Sequence, residues 1–284
     1  MMGRLPSWAK KSLGPPSALR AMKEVLRKRN LHTVCESARC PNIGECFSKP
    51  TATFMILGDV CTRTCGFCSI DKGLRPLRVD PDEPANIAVT AKELGLRHVV
   101  ITSVTRDDLE DNGAGQFALT IKAIRDTISG ILVEVLTPDF NGDERSLKTV
   151  FDAHPDIFNH NLETVPSLYS MVRPQADYRR SLGVLKMAKS AGILAKSGIM
   201  AGLGETKDEV KAVLRDLFDA GCDAVTIGQY LRPTRNNLEV REYVDPEVFL
   251  EYEAYGKELG IKYVYSGPFV RSSYNADKLI KDRK

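Results

Sequence analysis

From about residue 50 onward, short runs of apolar and β-branched residues alternate with longer stretches whose apolar residues recur at helical spacing. Seven runs have the length and composition of strands: TATFMILG, HVVITSV, ILVEVLTP, DIFNHNLE, LAKSGIMAG, AVTIGQYL and IKYVYSGPF. Six stretches between them predict helices: ANIAVTAKELG, GQFALTIKAIRDTI, SLKTVFDA, RSLGVLKMAKSAG, KDEVKAVLRDLFDAG and PEVFLEYEAYGKELG. This alternation predicts parallel strands joined by right-handed crossovers.

Six or seven strand–helix units predict an α/β fold that stops short of a full eight-stranded barrel. We therefore expect a partial (β/α)6 barrel of parallel strands over residues 51–260. Residues 1–50 form an N-terminal extension with a basic helix that ends near Asn30, and residues 261–284 form a short C-terminal extension.

Composition narrows the functional class only slightly. The 284 residues are 43% hydrophobic and 27% charged, which describes a globular protein, and a net charge of +3 gives no reason to expect nucleic acid. No apolar run approaches the roughly 18 residues of a membrane span, so no membrane association is expected. Seven grouped cysteines without an export signal favour metal or redox chemistry in a reducing, cytoplasmic compartment.

Polar residues follow the predicted strands at their carboxyl ends, where active sites of such folds collect. Each residue alone is more often an ordinary loop or capping residue, but together they predict a polar mouth. They are Ser103, Asp107, Thr137, Asp139, Asn161, Glu163, Ser197, Gln229 and Arg232.

Three cysteines directly follow the first barrel strand: Cys61, Cys65 and Cys68, with spacing C-x3-C-x2-C. We refer to them as the downstream triplet. Three thiolates on one loop can hold three irons of a 4Fe-4S cluster and leave the fourth open to a small molecule. A zinc or redox loop is the alternative, although zinc loops favour C-x2-C pairs.

The upstream triplet comprises Cys35, Cys40 and Cys46, with spacing C-x4-C-x5-C. Two regular triplets favour two clusters, while a single mixed metal site or a four-cysteine zinc site stays open. The seventh cysteine, Cys222, precedes a strand at the opposite rim and is expected to be buried packing.

Two further patterns predict structure rather than chemistry. GAGQFA begins nine residues after a strand and lacks the tight turn of a dinucleotide site, so it predicts a glycine-rich helix start. His98, His154 and His160 have no partners at catalytic or zinc spacing and are expected to be structural.

The downstream triplet on a partial barrel resembles the radical S-adenosylmethionine superfamily, and the surrounding sequence is similar to the lipoyl synthase family within it. The matching stretches, from about Leu31 to Asp277, are HTVCESARCPNIGECF, TATFMILGDVCTRTCGFCSI, ITSVTRDDLEDNGAGQF, LTPDF, HNLETVPSLY, GIMAGLGE, IGQYLRP and GPFVRSSY. The chain has Asn236 and Asn237 where members carry histidines, and Gly66 where a basic residue is common. Because neither triplet is altered, we expect these differences to affect only peripheral contacts.

The resemblance implies a division of labour between the triplets. The downstream cluster would bind S-adenosylmethionine and, when reduced, cleave it to methionine and a 5'-deoxyadenosyl radical. The upstream cluster, with Ser273 of RSSY as its fourth ligand, would donate two sulfur atoms to carbons 6 and 8 of a protein-bound octanoyl-lysine, which gives the lipoyl cofactor. Those carbons have no acidic hydrogen, so a radical can activate them where a base could not.

The same analogy suggests contacts and partners. It supports the Phe67 backbone and four strand-end residues as S-adenosylmethionine contacts: Ser103, Asn161, Glu163 and Gln229. Octanoylated lipoyl domains or the glycine-cleavage H protein would carry the substrate, near Arg232 and Arg271, and ferredoxin or flavodoxin would supply electrons. The alternatives are another radical enzyme, such as a methylthiotransferase or maturase, and a two-cluster electron carrier, which would not need a ring of polar strand ends.

Overall fold

A computed structural model describes residues 6–9, 11, 15–48, 53–74, 76 and 78–273. Tyr274 of RSSY and the residues that follow it therefore lie outside the described residues, as do the first two residues of TATFMILG. The α-helices are α1 (Pro16–Arg27), α2 (Val34–Ser37), α3 (Ile43–Ser48), α4 (Glu83–Glu93), α5 (Ala114–Thr127), α6 (Glu144–Asp152), α7 (Tyr169–Val172), α8 (Tyr178–Ser190), α9 (Lys207–Asp219) and α10 (Pro246–Glu258). The strands are β1 (His32–Thr33), β2 (Thr53–Ile56), β3 (Val60–Cys61), β4 (Asp71–Lys72), β5 (His98–Ser103), β6 (Leu132–Leu136), β7 (Ile157–Asn159), β8 (Leu194–Ala201), β9 (Ala224–Gln229) and β10 (Tyr263–Ser266).

Eight of these strands form one sheet in the order β1-β2-β5-β6-β7-β8-β9-β10. Neighbours from β2 to β10 pair in parallel, and β1 pairs antiparallel with β2. Because β1 and β10 are edges in this order, the sheet is an open barrel, which confirms the expected fold. The six predicted helical stretches correspond to α4, α5, α6, α8, α9 and α10. Among the described residues, no helix combines the length and apolar character needed to cross a bilayer.

The N-terminal extension packs on the barrel. Met22 and Leu26 of α1, Cys35 of α2 and Phe47 of α3 belong to the same buried core as Phe54 of β2. The two-residue strand β1 adds to the edge of the main sheet by pairing antiparallel with β2, with His32 opposite Met55. Burial of this shared apolar surface attaches the upstream triplet to the barrel edge.

A charged pair occupies the barrel interior beneath the strand ends. Side chains alternate along β6, so Val133 and Val135 join the core under the helices while Glu134 faces inward. Lys196 of β8 places Nζ 2.8 Å from Glu134 Oε1, and His98 places Nε2 3.4 Å from Glu134 Oε2. Burial would raise the pKa of Glu134, but Lys196 and His98 outweigh it and lower that pKa to about 2, so the pair is ionised.

Removing only the carboxylate charge should strongly destabilise the fold. Glu134→Gln leaves Lys196, which is 1% exposed, without a counter-charge. We expect the free energy of unfolding in urea to fall by about 3–5 kcal/mol, the cost of breaking a buried ion pair from one side. The double variant Glu134→Leu/Lys196→Met removes both charges and should recover most of that loss.

The matched control is an exposed pair on α6. Asp152 forms a salt bridge with Lys148, which lies one helical turn before it, and both side chains are more than half exposed. Asp152→Asn should change the free energy of unfolding by less than about 0.5 kcal/mol. Equal losses in Glu134→Gln and Asp152→Asn would contradict the structural importance of the buried pair.

Candidate active site

A cavity of about 470 Å³ lies at the carboxyl ends of the barrel strands. All six cysteines of the two triplets line it, and so does Ser273. The five residues expected to contact S-adenosylmethionine line it as well: Phe67, Ser103, Asn161, Glu163 and Gln229. The fold thus brings residues more than 200 positions apart in the sequence to one site.

The downstream triplet lies on a loop closed by a small two-stranded sheet. Cys61 ends β3, and β3 pairs in parallel with β4 just after the triplet. The amide of Gly73 donates to the Cys61 carbonyl at 3.0 Å, which closes the base of the loop. The sequence pattern did not predict this second sheet, because β3 and β4 have only two residues each.

Arg63 fastens this loop to the neighbouring strand ends. Its guanidinium donates to Asp107 through Nε (2.8 Å) and Nη2 (2.9 Å), and Nη2 lies 2.7 Å from Asp139 Oδ1. Asn141 accepts a further bond from Nη2 at 2.9 Å. Asp107 and Asp139 were expected at the polar mouth, but neither lines the cavity, because both bind Arg63.

The contact between Arg63 and Asp139 is a buried ion pair. Arg63 is 4% exposed and the Asp139 side chain is fully buried. Burial would raise the pKa of Asp139, but the charge of Arg63 and its hydrogen bond lower it below the usual range. The loop that carries Cys61 and Cys65 is therefore held by a desolvated ion pair with Asp139 and by a bidentate contact with the more exposed Asp107.

Asn237 holds the other side of the loop. Its amide donates to the carbonyls of Gly66 (3.2 Å) and Cys68 (2.8 Å), and the Leu238 amide donates to Gly66 O at 3.0 Å. A Cβ at Gly66 would lie 2.8 Å from Leu238 Cγ, so the larger residue common in the family would displace Leu238. The expectation of purely peripheral effects is therefore wrong for Gly66 and Asn237, whereas the side chain of Asn236 is exposed.

The upstream triplet is held by two short helices. Thr33 caps α2 by accepting from the Glu36 amide at 3.4 Å, which orients Cys35 on that helix. The Cys40 amide donates to the Cys35 carbonyl at 3.1 Å, and Cys46 follows on α3. These turns bring three cysteines, separated by four and five residues, to one wall of the cavity.

The chain after β10 crosses the end of β9 and brings Ser273 to the same cavity. Gly267 donates to Ile227 O at 3.0 Å, and Asn42, between two upstream cysteines, donates to Phe269 O at 2.8 Å. A Cβ at Gly228 would collide with the carbonyl of Val270, so glycine permits this crossing. No local signal around Ser273 indicates this path, and only the resemblance pointed to it.

Arg271, which was expected to face the carrier, bonds to its own segment. Its Nη1 donates to the carbonyls of Pro268 (3.2 Å) and Val270 (2.6 Å), which folds the side chain back on its own segment. Burial lowers its pKa, consistent with an inward position. Arg232 lines the cavity and interacts with Glu239 at 3.5 Å.

The protonation chemistry of the cysteines fits bound iron. Burial raises the pKa of Cys35 and Cys68 to about 12, and burial also raises the pKa of Cys65. Thiolates form at such positions only when a nearby cation compensates the charge, and a bound metal supplies it. In the part of the chain that is described, no three histidine, cysteine or acidic side chains converge on one metal ion. A 4Fe-4S cluster takes each thiolate on a different iron, so the triplets fit clusters better than the zinc sites left open.

Polar atoms without partners mark where a polar ligand fits. Ser103 Oγ, Asn161 Oδ1 and Arg173 Nε are buried at the cavity and have no hydrogen-bond partner among the described residues. Glu163 has a left-handed backbone with φ of 67°, and burial raises the pKa of its carboxyl group. Strained, unsatisfied groups of this kind are typical of functional sites.

Arg173 also lines the cavity, although the sequence pattern did not predict it as a site residue. It is 8% exposed and follows the short helix α7 rather than a strand, so no strand-end argument could find it. Its Nη1 donates to the carbonyls of Asn161 (2.7 Å) and Leu162 (3.3 Å). The guanidinium thereby fixes the turn that carries Asn161 and Glu163.

The side chain of Gln229 bonds to the loop that follows β9. Its Nε2 donates to Tyr230 O (3.0 Å) and Glu242 O (2.9 Å), and its Oε1 accepts from the Val244 amide at 2.9 Å. Both amide hydrogens are used, so Gln229 stabilises the loop after β9 and has no donor left for a ligand.

The glycine-rich helix start, His160 and Cys222, which the sequence analysis did not assign to chemistry, make the following contacts. Gly113, with φ of 88°, begins α5. His160 lines the cavity, but burial lowers its pKa to about 4 and its Nδ1 lies 2.9 Å from Thr137 O, so it is neutral. Cys222 is 4% exposed. Ser197 was expected at the polar mouth, but it is fully buried and does not line the cavity, because its Oγ accepts from the Leu162 amide at 3.3 Å.

Comparisons with known proteins agree with this geometry. A family model described as the radical SAM superfamily matches residues 55–217, and a model of the N-terminal domain of lipoyl synthase matches residues 2–40. The chain is 55% identical to the lipoyl synthase of Rubrobacter xylanophilus, over 98% of this chain and 87% of that protein. It is also 55% identical to the lipoyl synthase of Caldanaerobacter subterraneus, over 98% and 97% of the two chains.

Solved structures support the fold alone, because their sequences are distant. Streptococcus suis SuiB bound to S-adenosylmethionine matches 79% of this chain and 53% of its own, with a TM-score of 0.59 and 12% identity. Methylornithine synthase matches 93% of this chain and 83% of its own, with a TM-score of 0.54 and 13% identity.

Replacing Arg63 should destabilise the loop that carries the downstream triplet. Arg63→Met leaves the buried Asp139 with only the partly exposed Arg180 as a counter-charge, and we expect the free energy of unfolding in urea at neutral pH to fall by about 3–5 kcal/mol. Because Arg63 lowers the pKa of Asp139, this contribution is present above the ordinary carboxyl pKa and is lost as pH falls through the lowered one. The difference between variant and wild type should therefore shrink in acid.

Arg180→Met is the matched control. Arg180 also contacts Asp139, at 3.2 Å, but it is 33% exposed. Its loss should cost about 0–1 kcal/mol. A larger loss for Arg180→Met than for Arg63→Met would show that Arg63 does not hold the loop.

Proposed function

The chain belongs to the lipoyl synthase family of radical S-adenosylmethionine enzymes, and from this premise we propose which of its residues carry out each part of the reaction. It is a sulfurtransferase that inserts two sulfur atoms at carbons 6 and 8 of a protein-bound octanoyl-lysine, which yields the lipoyl cofactor. Its cofactors are S-adenosylmethionine and two 4Fe-4S clusters.

One observation carries the assignment of residues: both cysteine triplets line the same cavity. When bound, the reduced downstream cluster and S-adenosylmethionine supply a carbon radical, and the upstream cluster supplies sulfur. A chain lying between the two walls could meet both without leaving the site. The cavity also shields reactive groups from bulk solvent.

We assign the downstream triplet to the cluster that binds S-adenosylmethionine. It follows the first barrel strand, at the end of the sheet where ligands bind. Arg63 and Asn237 hold its loop from opposite sides and so help to fix the positions of the three cysteines. Both residues support the site and neither is assigned a contact with the substrate.

Ser103, Asn161 and Glu163 are proposed to contact S-adenosylmethionine, together with the backbone at Phe67. The unpartnered Ser103 Oγ and Asn161 Oδ1 support this role, because a polar ligand would satisfy them. Arg173 joins this set on the same evidence. Gln229 is proposed to hold the loop after β9 rather than to contact the ligand, because both its amide hydrogens are used.

We assign the upstream triplet and Ser273 to the sulfur-donating cluster. Ser273 lines the same cavity as Cys35, Cys40 and Cys46, and Asn42 ties its segment to the upstream motif. A serine oxygen is a poorer ligand than thiolate for a soft iron site. As the fourth ligand, Ser273 would therefore hold its iron less tightly than the three cysteines would hold theirs.

The partners follow from the reaction. Lipoyl domains are the substrates that the family implies, and the glycine-cleavage H protein is a further proposed carrier. An external donor such as ferredoxin or flavodoxin is proposed to reduce the downstream cluster. Six of the seven cysteines are assigned to iron rather than to disulfides, which suits a reducing, cytoplasmic setting. Residues 1–50, 51–260 and 261–284 are proposed as the donor, radical and ligand-delivering regions.

Alanine variants of the two triplets should separate their roles. We expect the upstream variant, anaerobically reconstituted and reduced, to release 5'-deoxyadenosine while an octanoyl-lysyl peptide gains no sulfur. The downstream variant should release neither product, since no radical forms. Wild type should add two sulfurs to the peptide, with two hydrogens fewer once the dithiol closes, as read by mass spectrometry. Lipoyl formation by the upstream variant, or deoxyadenosine from the downstream one, would overturn the assignment.

Ser273→Ala should abolish lipoyl formation while leaving the fold intact. The substitution should change the free energy of unfolding by less than about 0.5 kcal/mol, because a terminal serine makes little apolar contact. Product is read by mass spectrometry beside Ser190→Ala, an exposed serine at the end of α8, which should behave as wild type. Full product from Ser273→Ala, with loss in Ser272→Ala instead, would show that the ligand was assigned to the wrong serine.

A further inference from the structure

Ser272 and Ser273 are adjacent, but their side chains have different neighbours. Ser272 Oγ accepts a hydrogen bond from Asn161 Nδ2 at 2.6 Å. The two residues are 111 positions apart and meet over β8, where Gly198 leaves room for both. A Cβ at Gly198 would lie 2.9 Å from Asn161 Oδ1 and 3.2 Å from Ser272 Oγ.

This bond completes the donor set of Asn161. The other hydrogen of Nδ2 goes to Glu163 Oε1 at 3.0 Å. With both hydrogens used, the amide has one favoured orientation, in which Oδ1 is the free acceptor. Oδ1 is buried at the cavity and has no partner among the described residues. An amide that lost one acceptor could rotate and present NH₂ to a ligand instead.

We propose that Ser272 is a positioning residue for S-adenosylmethionine binding: its hydroxyl fixes the Asn161 amide so that Oδ1 accepts from a hydroxyl or amino group of the ligand. The inference rests on the proposed function, because it takes Asn161 as a ligand contact. It gives each serine of the pair a separate partner, Ser272 on the S-adenosylmethionine side and Ser273 on the sulfur-donor side.

The effect of Ser272 is local, because other contacts hold the C-terminal segment. The Asn42 side chain donates to Phe269 O, and the backbone N–H of Gly267 donates to Ile227 O. The backbone N–H of Gln229 donates to Pro268 O at 3.3 Å. None of these contacts involves the Ser272 hydroxyl. Ser272→Ala should therefore leave Ser273 in place and change only the orientation of the Asn161 amide.

A double-mutant cycle on the dissociation constant of S-adenosylmethionine tests this proposal. Equilibrium dialysis is performed anaerobically on reconstituted wild type, Ser272→Ala, Asn161→Ala and the double variant. Ser272→Ala should weaken binding roughly two- to tenfold, the range for one lost hydrogen bond. The double variant should bind no more weakly than Asn161→Ala, because Ser272 acts only through Asn161.

Ser190→Ala is the matched comparison, since it removes an exposed serine hydroxyl by the same substitution far from the cavity. It should leave the dissociation constant unchanged. Wild-type affinity in Ser272→Ala, or losses that multiply in the double variant, would overturn the inference while leaving the proposed function intact. Failure of wild type to bind S-adenosylmethionine would overturn the proposed function and the inference together.

Discussion

The buried contact between Arg63 and Asp139 is the interaction on which the site depends. The loop that carries the downstream triplet follows β2, a strand of only four residues, and would have few constraints of its own. Arg63, between two of its cysteines, reaches the ends of two neighbouring strands through Asp107 and Asp139. A charge buried in this way is costly unless it is paired, so the loop has one strongly favoured position.

The other parts of the site assemble around that position. The upstream triplet reaches the cavity because its helices share the core of the barrel edge. The C-terminal segment arrives from β10 across Gly228 and is tied to the upstream motif by Asn42. Cysteines from two regions and a serine from a third thus meet at one cavity. Residues remote in sequence become one reaction site because the carboxyl ends of parallel strands converge.

The sequence predicted the barrel well, because period and strand length are local signals. It did not predict β1 or the small sheet of β3 and β4, since two-residue strands have no period to detect. It placed Ser103, Asn161 and Glu163 at the cavity by their positions at strand ends. It could not distinguish them from Asp107, Asp139 or Gln229, because the partners that occupy those side chains are distant in sequence. Asn237 and Arg173 donate hydrogen bonds to backbone carbonyls, and every residue has a carbonyl, so the sequence pattern cannot predict these contacts.

The central claim is that two clusters face one cavity and that one of them is consumed as the sulfur source. The most direct measurement is a single anaerobic turnover of protein whose clusters were built with heavy-isotope sulfide, with octanoyl-lysyl peptide and unlabelled sulfide in solution. We predict that mass spectrometry finds two heavy sulfur atoms in the lipoyl product. A product that carries unlabelled sulfur, or equal yield of heavy product from protein without the upstream triplet, would contradict the account.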